Sequence, residues 1–281
     1  MQLRVMTEQD IPGGVRLNMA VGWNQTEADW ERFLAASRNG CFAMDDKGKI
    51  VGTAATFPFE SRFAWISMVL VDPDYRNQGI GTSLLRRAIE YLDDTGIPTL
   101  KLDATPAGKS LYEKLGFVTE HEIDRWVLKR TVRDKSTQQS VVTTPEKLSE
   151  VLEFDRVTFG ADRSALLRSL NERAPDLTSI ARQNGRLTGY VFGRRGLFAD
   201  HLGPWMAQDG ESSRALLEKF LRRSSRDTII IDAFRSNRIA CELLREHGFS
   251  TVRLLTRMYR GPNSFPGNPA SLCAIMGPEF G

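Results

Sequence analysis

The chain has 281 residues, 41% hydrophobic and 26% charged, with a formal net charge of +3. These figures exclude a disordered or fibrous chain and suit a soluble globular protein of two domains, each of roughly 130 to 150 residues. Residues 1–130 carry 16 Lys and Arg against 18 Asp and Glu, leaving 22 against 17 of the totals of 38 and 35. That basic excess is scattered, so no nucleic-acid partner is expected.

In chain order, residues 2–6 predict a strand, and Thr7 with Asp10 predicts a capped helix running towards Ala20. Thr26 followed by Asp29 repeats the cap, so Gly22, Trp23, Asn24 and Gln25 connect two short helices. Strands are expected over Cys41–Met44, Ile50–Phe57 and Ala64–Val71, with a hairpin turn at Asp46-Lys47-Gly48-Lys49. The helix from Gly81 to about Asp94 places Leu84, Leu85, Ala88, Ile89 and Leu92 on one face, and Gly96-Ile97-Pro98 ends it. A strand over Leu100–Ala104, a short helix carrying Tyr112, and strands near Phe117–His121 and Trp126–Lys129 complete a first domain, 1–130. Residues 131–140 are polar and aperiodic and are read as a linker.

The pattern then restarts in a second domain, 141–281. Thr144-Pro145 caps a helix, Arg186–Arg194 and Thr228–Asp232 read as strands, and Glu211–Arg223 and Asn237–His247 as helices. Leu102-Asp103-Ala104 with Gly116-Phe117 is echoed by Ile231-Asp232-Ala233 with Gly248-Phe249, which makes the second half a repeat of the first.

The chemistry concentrates in Val71-Asp72-Pro73-Asp74-Tyr75-Arg76-Asn77-Gln78-Gly79-Ile80-Gly81-Thr82, a strand end turning into a helix. Two close glycines let backbone approach a ligand, the first helical N–H groups point at an anion, and Arg76 adds charge. The turn lacks the Gly-Lys-Ser/Thr of a P-loop, and its R-x-x-G-x-G spacing is not the dinucleotide fingerprint. It resembles the cofactor loop of the GNAT superfamily of acyl-CoA N-acyltransferases, and Leu111-Tyr112-Glu113-Lys114-Leu115-Gly116-Phe117 resembles that family's second signature in the expected order.

The resemblance implies a mixed α/β (α+β) fold of two tandem GNAT-like domains, each a mostly antiparallel sheet flanked by helices, with acetyl-CoA as cosubstrate. Val69 and Val71 would offer backbone groups to the pantetheine arm. Arg76, Asn77, Gln78, Gly79, Ile80, Gly81 and Thr82 would cradle the pyrophosphate. Thr105 would lie near the arm, and Tyr112 would contact the arm and act as general acid on the departing sulfur. Setting Pro73 against Pro204 matches Gly79 with Gly210 but puts Glu211 and Ser212 where Ile80 and Gly81 stand, beside Asp209, so one cofactor site is expected.

The base is left open among Glu60, Asp103, His121 and a water relay. Trp23 and Asn24 are expected on the acceptor side, with Asp155 and Asp162 of the second domain attracting a cationic amine. The expected reaction is direct acetyl transfer to a primary amine of a small molecule. A protein N-terminus or lysine is a second acceptor class, and a non-catalytic acyl-CoA sensor a third reading. Cys41, Cys241 and Cys273 have no metal-ligand spacing. With no leader and no run of eighteen apolar residues, a cytoplasmic enzyme without metal or membrane partner is expected.

Overall fold

The computed structural model describes residues 1–131 and 145–281, with the helix alone described at 145–147. From residue 132 onward the expected linker lies outside the described residues, as does the Thr144 cap. Two compact units divide inside one strand: Met1–Leu102 with Tyr259–Asn263 and Phe280, and Asp103–Met258 with Ser264–Glu279 and Gly281.

The first unit contains β1 (Gln2–Val5), α1 (Ile11–Ala20), α2 (Glu27–Ala36), β2 (Cys41–Asp46), β3 (Lys49–Phe59), β4 (Phe63–Val71), α3 (Ile80–Asp94) and the start of β5 (Leu100–Ala104). Its strands run in the order β1-β2-β3-β4-β5, antiparallel except for the parallel β4–β5 pair. Lys47 and Gly48 both have positive φ, 55° and 89°, which gives the β2–β3 turn the twist a two-residue hairpin needs. At Thr26 the backbone N–H donates to Asp29 Oδ2 at 2.8 Å, the expected cap of α2. The predicted apolar stripe of α3 is buried, and Gly52 lets it approach β3, since a Cβ there would stand 2.9 Å from Leu84 Cδ1.

The second unit holds the rest of β5, α4 (Pro106–Lys114), β6 (Val118–Lys129), α5 (Pro145–Phe159), α6 (Ser164–Arg173), β7 (Ser179–Gln183), β8 (Arg186–Arg195), β9 (Asp200–Ala207), α7 (Gly210–Arg223), β10 (Thr228–Phe234), α8 (Arg238–Glu246), most of β11 (Ser250–Arg260) and β12 (Leu272–Ala274). Its strand order is β11-β6-β10-β12-β9-β8-β7, with a further β10–β9 pairing. The fold is thus mixed α/β, mostly antiparallel and flanked by helices. Trp126, Trp205, Leu217, Phe220, Ile231 and Leu244 belong to the hydrophobic core of this unit.

Several expectations change. The strands read at Phe117–His121 and Trp126–Lys129 are one strand, β6, paired with β10 from Phe234↔Ile123 to Thr228↔Lys129. The compact units therefore do not divide at 130, because β6 belongs with the second repeat's β10. Two bidentate ion pairs in the second unit show the same exchange. Arg125 of β6 holds Asp232 of β10 at 2.8 Å through both oxygens, and Arg257 of β11 holds Asp103 of β5 at 2.9 Å through both. Each repeat's Asp is clamped by an Arg from the other repeat's last long strand.

The segment His201-Leu202-Gly203-Pro204, although it carries turn-forming residues, lies inside the buried strand β9 with a cis Gly203–Pro204 bond. Pro204 is therefore not the counterpart of Pro73. Eight residues, 72–79, separate β4 from α3, whereas only Gln208 and Asp209 separate β9 from α7. The second repeat lost its turn by shortening as well as by substitution.

Candidate active site

The turn before α3 has a fixed base and an open tip. Asp72 is buried, and its carboxylate accepts from Arg16 at 2.9 Å, meets Lys49 at 3.1 Å and accepts the Asp74 N–H at 3.2 Å. Burial alone would raise this carboxyl, but Arg16 and Lys49 outweigh it and hold it below the ordinary range. Tyr75 adds a hydrogen bond to Asp46 at 3.0 Å. Arg76, Asn77, Gln78 and Gly79 beyond it are exposed, and Arg76 makes no ion pair among the described residues.

Asn77 and Gly79 have φ of 62° and 77°, so the backbone curls into the start of α3. The N–H groups of Ile80, Gly81 and Thr82 are those a helix cannot satisfy internally. The space in front of them is open. A Cβ built on Gly79 meets nothing within 4 Å, and one on Gly81 meets only Val71 Cγ2 at 3.4 Å. Packing does not require glycine at 81, whereas a ligand seated on the backbone would. The residues present fit a phosphate-bearing cosubstrate.

Val69 and Val71 are half-buried on β4 beside a β-bulge, where Met68 (φ 53°) and Val69 oppose Ala54 between Thr53↔Leu70 and Ala55↔Ser67. Thr53 Oγ1 donates to the Met68 carbonyl at 2.8 Å. The register with β5 covers only Ala64↔Leu100 and Trp65↔Lys101, so the edge of β4 that carries Val69 and Val71 diverges from its neighbour. That divergence leaves backbone groups of β4 at Val69 and Val71 without a β5 partner in the register.

On the loop after α1, Trp23 is half-buried and its N–H donates to the Asn18 carbonyl at 2.8 Å, while Asn24 and Gln25 are buried. Asn18 was not singled out from the sequence. It is fully buried and its Nδ2 donates to the Gln25 carbonyl at 3.0 Å, which leaves Asn18 Oδ1 and Gln25 Oε1 buried without a hydrogen-bond donor. Its only sequence signal is an amide on the inward face of an amphipathic helix.

Tyr112 lies on α4, in the second unit, half-buried and edge-on to Phe117 at 6.1 Å between centroids. A Cβ at Gly108 would stand 2.9 Å from Tyr112 Cε2, so glycine there makes room for the ring. Burial pushes the phenol up to about 12. Thr105 precedes α4, and its carbonyl accepts the N–H groups of Gly108 and Lys109. The repeat extends to backbone hydrogen bonds, since Phe117 N–H donates to the Tyr112 carbonyl and Phe249 N–H to that of Leu244, each across a positive-φ glycine. The second repeat thus carries Leu244 where the first carries Tyr112. At its α7 N-terminus, Asp209 accepts the Ser212 N–H at 2.7 Å and occupies the place of an anion.

The remaining candidates fare differently. Asp155 does not serve a cationic amine. It is buried, both its oxygens accept from Arg163 at 2.8 and 2.9 Å, and Tyr190 donates to it as well. Asp162 is exposed and accepts from the Ser164 side chain and, at 2.7 Å, from the Ser164 N–H at the start of α6, which together hold its carboxyl low. Asp103 is taken up by Arg257 and does not serve as a base; burial pushes its carboxyl up, with Arg257 opposing. Glu60 pairs with Arg62 at 3.1 Å, and His121 packs edge-on to Phe234 at 5.2 Å.

Among the described residues no group of side chains could hold a metal and no helix is long and apolar enough to cross a membrane. Residues 16–117 match the acetyltransferase (GNAT) family, and residues 151–274 match an acetyltransferase (GNAT) domain. The chain is 25% identical over 264 residues to holothin acyltransferase of Pseudoalteromonas sp., covering 94% of this chain and 88% of that one. Its fold is similar to the crystal structure of a candidate acetyltransferase from Pyrococcus horikoshii (TM-score 0.82, 24% identity, 100% and 95% of the two chains). It is also similar to a tandem GNAT protein from the clavulanic acid biosynthesis pathway (TM-score 0.66, 14% identity, 94% and 99%). With residues 16–117 and 151–274 each matching a GNAT acetyltransferase model, the chain belongs to the GNAT superfamily as a tandem-domain acyltransferase.

Proposed function

We propose that this acyltransferase moves an acetyl group from acetyl-CoA to a primary amine of a small molecule by direct attack in a ternary complex. The observation that carries the reading is the turn from Arg76 to Thr82, where positive-φ backbone, the first helical N–H groups and open space at Gly79 and Gly81 occur together beside an exposed cation. Acetyl-CoA would supply the activated acyl group and a thiolate leaving group. Arg76 and the N–H groups of residues 79–82 would hold its phosphates. The diverging edge of β4 at Val69 and Val71 would align its arm and offer backbone N–H to the developing oxyanion.

Tyr112 would donate to the departing sulfur. With the phenol raised to about 12, against roughly 8.5 for a thiol, complete transfer is uphill by about 5 kcal/mol. Its role is therefore a hydrogen bond that strengthens as charge reaches sulfur, with solvent completing the proton transfer. With Asp103 held by Arg257 and Glu60 paired with Arg62, His121 or a water relay would serve as the base. The acceptor amine would lie towards the loop after α1 that carries Trp23 and Asn24.

The test is thiol release from acetyl-CoA with amines, amino acids and peptides, the products being identified by mass spectrometry. Turnover with a small amine is expected. Acetylation of peptides alone would move the acceptor to protein, and tight CoA binding without any turnover would make the chain a sensor.

A further inference from the structure

The two repeats differ at the splay of their central strands. In the first, the β4 edge beyond Trp65 diverges from β5. In the second, β9 and β10 pair in parallel from Ile229↔Asp200 to Ile231↔Leu202, and beyond that point β12 fills the wedge. Ala274 pairs with Ala233 on one side and Trp205 on the other, and Leu272 pairs with Met206. The Ile275 N–H donates to the Asp232 carbonyl at 2.9 Å, and the Ala207 N–H to that of Ser271 at 3.1 Å. The chain's own backbone thus occupies the counterpart of the edge assigned above to the acyl donor.

Past the strand, Gly277 has φ 149°, and a Cβ there would stand 2.9 Å from Arg194 Nη2 and from both Glu279 carboxylate oxygens. Glu279 is 2% exposed and ion-paired with Arg194. Arg194 Nη2 is also 3.0 Å from His201 Nδ1, His201 Nε2 is 3.1 Å from Asp232 Oδ2, and Asp232 is gripped by Arg125. Burial keeps His201 neutral by lowering its pKa, so Arg194 donates to Nδ1 and the ring proton sits on Nε2. With His201 neutral, two arginines face Asp232 and Glu279, and the charges balance. Removing Glu279 would break a buried ion pair, an expensive change that a carboxylate at this place avoids.

We propose that the second repeat carries a binding site for an extended peptide segment bearing a carboxylate, recognised by Arg194, and that residues 272–279 of the same chain are its resident ligand. Identifying the wedge with a donor groove rests on the function proposed above; the carboxylate site does not. The consequence is one acyl-donor site per chain, with the second closed in cis.

Hydrogen exchange of residues 272–279 in the intact chain, with calorimetric titration of CoA, tests this. Glu279→Gln and Arg194→Met should each speed exchange there at least about tenfold, since a charge-assisted bond of about 1.5–3 kcal/mol is lost, while Arg194→Lys retains protection. Calorimetry should give one CoA per chain. Unchanged exchange in Glu279→Gln would overturn the carboxylate site, and two CoA per chain would overturn the closed groove. If no CoA binds, the proposed function fails while the exchange results still decide the carboxylate site.

Discussion

Replacing Gly81 by Ala separates a structural glycine from one kept for a ligand. Gly81 lies in the first turn of α3, and it has no positive φ to protect. The added methyl meets only Val71 Cγ2 at 3.4 Å, an ordinary contact, so no strain is expected. Relative to glycine, alanine favours the helix and restricts the unfolded chain, worth about 0.4–1 kcal/mol. For a domain of this size that raises Tm by roughly 2–5 °C. The same methyl enters the space in front of the Ile80–Thr82 N–H groups, and losing even one charge-assisted phosphate bond of about 1.5–3 kcal/mol weakens CoA binding by about 10- to 100-fold. Thermal unfolding without ligand and calorimetric titration with CoA, run on the same preparation, should show a more stable protein that binds less well. A variant that binds CoA as tightly as the parent would refute the cradle, and one that unfolds earlier would refute the packing argument.

Arg76→Glu should weaken CoA binding at least about tenfold and flatten its salt dependence, because an exposed cation is replaced by an anion; equilibrium titrations at two ionic strengths check this. Tyr112→Phe should lower kcat with little change in KM. In the parent enzyme no alkaline loss from this residue is expected below pH 11, because the phenol ionises only near 12; pH–rate profiles of both proteins decide it. Asp232→Ala leaves Arg125 buried without its partner and should cost about 3–5 kcal/mol in urea unfolding. Burial would raise Asp232, but Arg125 and His201 together bring it below 3.8. Its contribution is therefore present above that pH and is lost as pH falls below it, so Asp232→Asn should flatten the acid limb of stability below about pH 4.

Local signals were legible where one short segment determined the outcome. The apolar stripe of α3, the Thr26 cap, the Lys47-Gly48 turn and the glycines ending α3, α4 and α8 follow from spacing and backbone freedom alone. The open turn before α3 was legible for the same reason, since Gly79, Gly81 and Arg76 lie within one strand-to-helix connection. The Asp103 and Asp232 echo exposed the repeat. What failed depended on partners far along the chain. Asp155 looks like a carboxylate available to an amine until Arg163 and Tyr190 close on it, and Asp103 looks like a base until Arg257, 154 positions away, takes both its oxygens. His201-Leu202-Gly203-Pro204 carries turn residues yet runs through a buried strand, because neighbouring strands on both sides outweigh local preference.

By itself the sequence determined the repeat, the family resemblance and the glycine turn before α3 that the second repeat lacks, all of which depend on order and spacing. Only the tertiary structure decided that β6 pairs with β10, that Arg125 and Arg257 clamp each other's repeat, and that β12 fills the second splay. Strand partners and buried charge pairs are chosen by which distant segments satisfy each other's backbone and charge, and no local pattern encodes that choice.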